Sequence, residues 1–238
     1  CGIANVQLAL VPLTESENWS NCKSILRDAS IKIVSGMFEP VGEDYTTLET
    51  IAKTGGVRQD ASWQKTLERS KASAVIASDL GLSLVTFHAG FLPHNSCQER
   101  TKMLDRLVQI ADIFANNEIT IAFETEGSFH KKDHLMMQHP KEYEQFFKLF
   151  TSDEIGVNLN IGHLILAANA FDFSYQTFVD LIAEYVVAME LSHNDGVEDQ
   201  HLPLQPDGWY WPLILDKRFE NTYKILEFRN TSILTIKE

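Results

Sequence analysis

Strand and helix signals alternate along all 238 residues, and this alternation constrains the fold more than any other feature. Period-two apolar runs mark strand candidates at Val6–Leu13, Ile31–Phe38, Leu82–Gly90, Ile119–Gly127, Ile155–Gly162, Val186–Ser192 and Tyr223–Asn230. Between most of them lie patterns with the 3.6-residue period of a helix. The clearest is Thr101–Asn116, where Met103, Leu104, Leu107, Ile110, Ala111 and Phe114 form one stripe. Trp63–Leu80 is a second and stops at Gly81, a residue suited to the left-handed turn after a helix. Glu17–Arg27, Pro140–Phe150 and Ser174–Tyr185 complete the set, with Pro140 at a first helical position.

Strands alternating with helices predict an α/β fold with a parallel sheet. The chain opens at Cys1, and Cys1–Asn5 reads as a helix end entering the first strand. A further βα unit is therefore expected ahead of it. Seven units plus one give a (β/α)8 TIM barrel, a single domain over residues 1–238 with its first βα unit missing. A doubly wound nucleotide-binding sheet is disfavoured, because no glycine-rich phosphate loop follows any strand.

Side chains alternate between the two faces of a strand, so parity sorts them into barrel interior and helix-facing exterior. Thr86 and His88 oppose Val85 and Phe87; Ala122 and Glu124 oppose Ile121 and Phe123. Asn158 and Asn160 oppose Val157 and Leu159; Ile225, Glu227 and Arg229 oppose Leu226 and Phe228. Glu190 shares a face with Ala188 and Ser192. Glu124, Asn160, Glu190 and Glu227 should therefore converge at the C-terminal mouth of the barrel, where such folds place their chemistry. Several carboxylates in one low-dielectric mouth repel one another unless a cation or a bound ligand compensates. The structural alternative is that each pairs with a nearby Lys or Arg. After Glu190 comes a loop rich in acids and histidines, carrying His193, Asp195, Glu198, Asp199 and His201.

Composition narrows the function. The net charge is −13, from 20 Lys and Arg against 33 Asp and Glu, which argues against nucleic acid or an anionic membrane as partner. No apolar run reaches the ~18 residues of a membrane span. The cysteines, Cys1, Cys22 and Cys97, have no metal-binding spacing and read as free thiols of a cytoplasmic protein.

At these residues the chain resembles the xylose isomerase-like TIM-barrel family, which holds sugar-phosphate isomerases and epimerases, inosose dehydratases and AP endonucleases. The resemblance runs from Val6 to Asn230. It rests on Val85–Gly90, Ala122–Thr125, Val157–His163, Glu190–His201 and Ile225–Phe228 taken in order. It implies a divalent cation held from four successive strands, here by Glu124, Asn160, Glu190 and Glu227. The family has Asp where this chain has Asn160, and His where it has Glu190. The implied donors thus become all oxygen, which favours Mg²⁺ or Mn²⁺ over Zn²⁺. The opposing reading is a decayed or metal-free site.

By the same resemblance, Glu124 and Glu227 are the acid and base that move a proton next to a sugar carbonyl through an enediolate. His88, His163, His193, Asp199, His201 and Arg229 are the expected contacts to a small carbohydrate. An inosose-type dehydratase on the same site and a non-catalytic sugar-binding barrel are the alternatives. AP endonuclease activity is disfavoured by the acidic charge. The insertion Glu39–Ala61 is expected to act as a lid, or to pack against another subunit. Trp209 and Trp211 fit either an apolar wall against a sugar or ordinary packing, and His130–His134 fits a solvated helix start. The sequence leaves the oligomeric state open, a homodimer included.

Overall fold

The computed structural model describes residues 2–90, 98–126, 143, 146–148 and 155–229. Their strands are β1 (Asn5–Ala9), β2 (Lys32–Met37), β3 (Leu84–Phe87), β4 (Thr120–Glu124), β5 (Ile155–Asn160), β6 (Val186–Leu191) and β7 (Tyr223–Leu226). They form one sheet in the order β1-β2-β3-β4-β5-β6-β7, each pair parallel. This is a nearly closed βα barrel. Among the described residues, no strand pairs with the outer edges of β1 and β7.

Parity holds along β3 to β6, whereas Leu226 on the expected apolar face of β7 is half exposed. Val85, Phe87, Ile121, Phe123, Val157, Leu159, Met189 and Leu191 are buried in the main core with helix residues such as Met103, Leu107, Ile110 and Phe114. Burying each such side chain contributes roughly 1.5–3 kcal/mol. Facing inward, Leu84, Ala122 and Ala188 close the barrel below the site. Nearby, Gln7 Nε2 donates to Thr86 Oγ1 at 3.0 Å. The small inner residues leave room for the polar ones above.

The expected strand Val6–Leu13 ends at Ala9, and Val11–Glu15 is a short helix instead. Pro12 explains the change: it lacks the N–H a ladder needs and has the φ of a first helical turn. The expected strand Ile155–Gly162 ends at Asn160, and a helix missed in the sequence, Ile161–Phe171, starts at once. The helices at Asp60–Asp79, Gln98–Ala115 and Tyr175–Ile182 match expected ones, with ends shifted. The insertion after β2 carries a helix of its own, Leu48–Thr54, started by a reciprocal Thr47–Thr50 capping box. Most of the expected helix Pro140–Phe150, and all of His130–His134, lie outside the described residues. No described helix is long and apolar enough to cross a membrane.

Candidate active site

Strands β4 to β7 deliver Glu124, Asn160, Glu190 and Glu227 to one point. Asn160 and Glu190 are direct partners in the β5–β6 register. Carboxylate oxygens of Glu124, Glu190 and Glu227 lie within 4.8 Å of one another. Asn160 sits between them. Its Nδ2 donates toward Glu124 Oε1 at 2.9 Å, Glu227 Oε2 at 3.1 Å and Glu190 Oε2 at 3.3 Å.

The other end of that amide fixes its orientation. Asn160 is the N-cap of the helix Ile161–Phe171, and its Oδ1 accepts the His163 backbone N–H at 3.1 Å. Thr125 Oγ1 in turn accepts the Asn160 backbone N–H at 2.9 Å. Gly162 keeps this corner tight: a Cβ there would meet Ser192 Oγ at 2.9 Å and Asn194 Nδ2 at 3.0 Å.

His163, Asp199 and His201 join the two ends of the carboxylate cluster. His163 Nδ1 donates to the Thr125 carbonyl at 2.9 Å and lies 3.2 Å from Glu124 Oε1. Its Nε2 lies 3.5 Å from Asp199 Oδ1. Asp199 Oδ2 is 2.8 Å from His201 Nε2, and His201 Nδ1 is 3.1 Å from Glu227 Oε2. Arg229 approaches Asp199 at 3.6 Å, and its backbone N–H donates to the His201 carbonyl.

The charges follow from these contacts. Burial pushes the Glu190 carboxyl up, Glu124 and Glu227 add to the effect, and the group stands well above the usual carboxylate range. Burial also opposes ionisation of Glu124, but His163 and His88 outweigh it and hold this carboxyl down at about 2. Desolvation disfavours an ionised Asp199 as well, but His163 and His201 outweigh it and hold this carboxyl below its ordinary range. Desolvation works against a charged His201, yet Asp199 and Glu227 raise it to about 9. His163 is raised well above its ordinary value in the same way, by Asp199 and Glu124.

The Glu39–Ala61 insertion closes one side of the mouth. Glu43 Oε1 lies 2.8 Å from His88 Nδ1 and accepts the Gly56 N–H at 2.7 Å. On its far side, His88 Nε2 is 3.2 Å from Glu126 Oε1. Burial lowers the affinity of His88 for a proton, but Glu126 and Glu43 overcome this and raise it to about 9. Burial and the neighbouring Glu124 raise Glu126 to about 7, against the opposing pull of His88. Tyr45 lies over His88 with ring centroids 6.2 Å apart. Gly56 has φ +63°, and a Cβ on it would fall 2.0 Å from the Ala89 carbonyl oxygen. Only glycine lets the insertion lie this closely on the end of β3.

Together these elements enclose a cavity of about 750 Å³ at the C-terminal ends of the strands. His88, Glu124, His163, Asp199, His201, Glu227 and Arg229 line it, whereas Asn160 and Glu190 are buried outside its lining. His193 does not line it either. Its backbone pairs with Leu202 and its ring packs against Tyr210, because parity puts it on the side opposite Glu190. Trp209 and Trp211 pack with Tyr210, away from the cavity lining. Sequence reasoning missed Glu43, Thr125 and Glu126. Glu126 was within reach of it, lying two residues beyond Glu124 with the same parity.

A parallel βα barrel with acids and histidines gathered at its C-terminal mouth defines the class of protein. Residues 3–230 match the xylose isomerase-like TIM barrel, and the chain belongs to that family. No curated protein matches the sequence. Among solved structures, a D-tagatose 3-epimerase-like protein superposes with a TM-score of 0.73 at 14% identity, covering 100% of this chain and 86% of that one. The probable 3-DHS dehydratase AsbF from Bacillus anthracis gives 0.67 at 14% identity, covering 95% and 83%. A xylose isomerase domain protein from Planctomyces limnophilus gives 0.65 at 18% identity, covering 79% of this chain and 63% of that one. At these identities the likeness shows the fold alone. Other solved neighbours are sugar epimerases, a 3-keto-D-glucoside 4-epimerase and a D-psicose 3-epimerase among them.

Divalent metals are typical of the family, and the donor atoms decide whether such an ion fits here. A cation needs a lone pair from each ligand. Asn160 offers the cluster N–H hydrogens instead, its oxygen being committed to the helix cap. The expected set of Glu124, Asn160, Glu190 and Glu227, with Asn160 as an oxygen donor, therefore does not fit a divalent ion in this arrangement.

Proposed function

We propose that this protein is a sugar isomerase or epimerase that moves a proton beside a carbonyl through an enediolate, with Glu124 and Glu227 as its acid and base. One observation carries the reading: two carboxylates that line a cavity large enough for a small sugar are pinned to one buried Asn160 amide. The epimerases among the structural neighbours support it.

The two groups differ in setting. Glu124 is ionised by its histidine neighbours, as a base must be. Glu227 lies across the cluster, in contact with His201, and can exchange a proton with the opposite side of the same carbon. Enolisation places negative charge on the carbonyl oxygen. The imidazolium forms of His163 and His201, both lining the cavity, supply the compensating charge. Mg²⁺ or Mn²⁺, the ion implied by the family resemblance, takes no part in these steps, because Asn160 presents N–H hydrogens and not an oxygen to the cluster. The substrate is a small carbohydrate, held also by His88 and Arg229.

Dehydration of a keto-sugar or keto-cyclitol is the second reading. Glu126, raised to about 7, is an acid able to protonate a departing hydroxyl, and a dehydratase is among the neighbours. Incubation with unphosphorylated and phosphorylated ketoses in D₂O, followed by proton NMR, tests both. Deuterium entry beside the carbonyl with epimer formation is expected, and Glu227→Gln should slow it by roughly 10²–10⁴-fold. Loss of water without an epimer would favour the lyase. No exchange on any sugar would leave only a binding protein.

A further inference from the structure

We propose that the Asn160 amide takes the place of a divalent cation where Glu124, Glu190 and Glu227 meet, so that the cluster is held together without one. The inference does not depend on which reaction the site performs. Three carboxylate oxygens surround Asn160 Nδ2 at 2.9, 3.1 and 3.3 Å, as ligands would surround an ion. The amide supplies two polarised hydrogens at that point, and positive charge comes from the rim: His163 Nδ1 is 3.2 Å from Glu124 and His201 Nδ1 is 3.1 Å from Glu227.

Asn160 cannot simply be turned over. Rotation of the amide would aim its NH₂ at the His163 backbone N–H, now 3.1 Å from the oxygen. That sets donor against donor at the start of a buried helix and removes all three carboxylate contacts. An aspartate at position 160 would meet no such conflict. One of its oxygens could cap the helix as well as Asn does, and the other would face three more carboxylates, an arrangement that only a cation relieves. The one-atom difference between Asn and Asp thus decides between an amide-centred and an ion-centred cluster.

The test uses the intact protein, stripped with EDTA, dialysed and titrated with MnCl₂ while free Mn²⁺ is read by electron paramagnetic resonance. Wild type should show no Mn²⁺ binding at millimolar MnCl₂ that Glu190→Gln removes. Asn160→Asp should take up one Mn²⁺ per chain, at least about tenfold more tightly than wild type, and its Tm should rise with added Mn²⁺. Ion binding that is the same in wild type and Glu190→Gln lies elsewhere and agrees with the proposal. One Mn²⁺ per wild-type chain, lost in Glu190→Gln, overturns it. So does an Asn160→Asp variant with a wild-type circular dichroism spectrum that binds Mn²⁺ no better than wild type. If Asn160→Asp does not fold, the comparison of wild type with Glu190→Gln decides alone.

Discussion

Thr125 is the buried peg behind the site, and replacing it with valine tests the architecture directly. The residue is 2% exposed, and its Oγ1 accepts the backbone N–H of the fully buried Asn160 at 2.9 Å. Valine keeps the size and branching of the side chain but cannot accept that hydrogen bond. The Asn160 N–H is then left in a dry site with no acceptor, which costs about 1–3 kcal/mol. For a chain of this length each kcal/mol lowers Tm by roughly 2–4 °C, so a mid-range loss of about 2 kcal/mol predicts a fall of about 4–8 °C. Thr125→Ser is the control. It keeps the hydroxyl and sheds one methyl group, a loss of about 1 kcal/mol. The assay is thermal and urea unfolding of both variants beside wild type, followed by deuterium exchange on whichever ketose the wild type turns over. Thr125→Val should also slow turnover, because Asn160 positions Glu124 and Glu227. A Thr125→Val protein that melts within about 1 °C of wild type, with the serine variant less stable, would refute the claim that this bond anchors the site.

Two further perturbations follow from the mouth of the barrel. Stability should be greatest on the acid side of neutrality and fall as pH rises. His88 and His201 have folded values of about 9 against an ordinary 6.5, so their contribution is complete below about 6.5 and lost as pH climbs through about 9. Glu126, raised from 4.5 to about 7, acts in the same direction between those values, whereas Glu124, held at about 2, withdraws its contribution as pH falls from 4.5 toward 2. Urea midpoints measured across this range should peak between about 4.5 and 6.5; a midpoint that rises from there to pH 9 would contradict the charge assignment. Gly56→Ala should detach the Glu39–Ala61 insertion, since its new Cβ would overlap the Ala89 carbonyl. Limited proteolysis should then cut within that insertion while far-ultraviolet circular dichroism stays unchanged, and wild-type resistance would count against the docking.

Strand number, the parallel sheet and the convergence of four polar residues were all legible in the sequence. Alternation reports directly on which face of a strand meets the helices, and in a barrel the other face has only one place to go. The error over Asn160 had a different origin. Its position on the inner face was readable, but which end of its amide points inward depends on the backbone of His163, and so on a helix that begins immediately after β5. The strand pattern of Ile155–Gly162 hid that boundary. His193 shows the reverse case, where residue type suggested a ligand although parity already placed it outside.

By itself, then, the sequence determined the βα order, the greasy outer faces, and the acids and histidines that end the inner ones, because these follow from the two-residue and 3.6-residue periods of the chain. Tertiary structure alone decided how those groups are partnered. Asp199 and His201 come from the loop after β6, Glu43 from the insertion after β2 and Thr125 from the end of β4, and no periodicity relates them. Their contacts fix the charges of Glu124, Glu126 and Glu190, three glutamates in one site whose affinities for a proton differ because burial and neighbours differ.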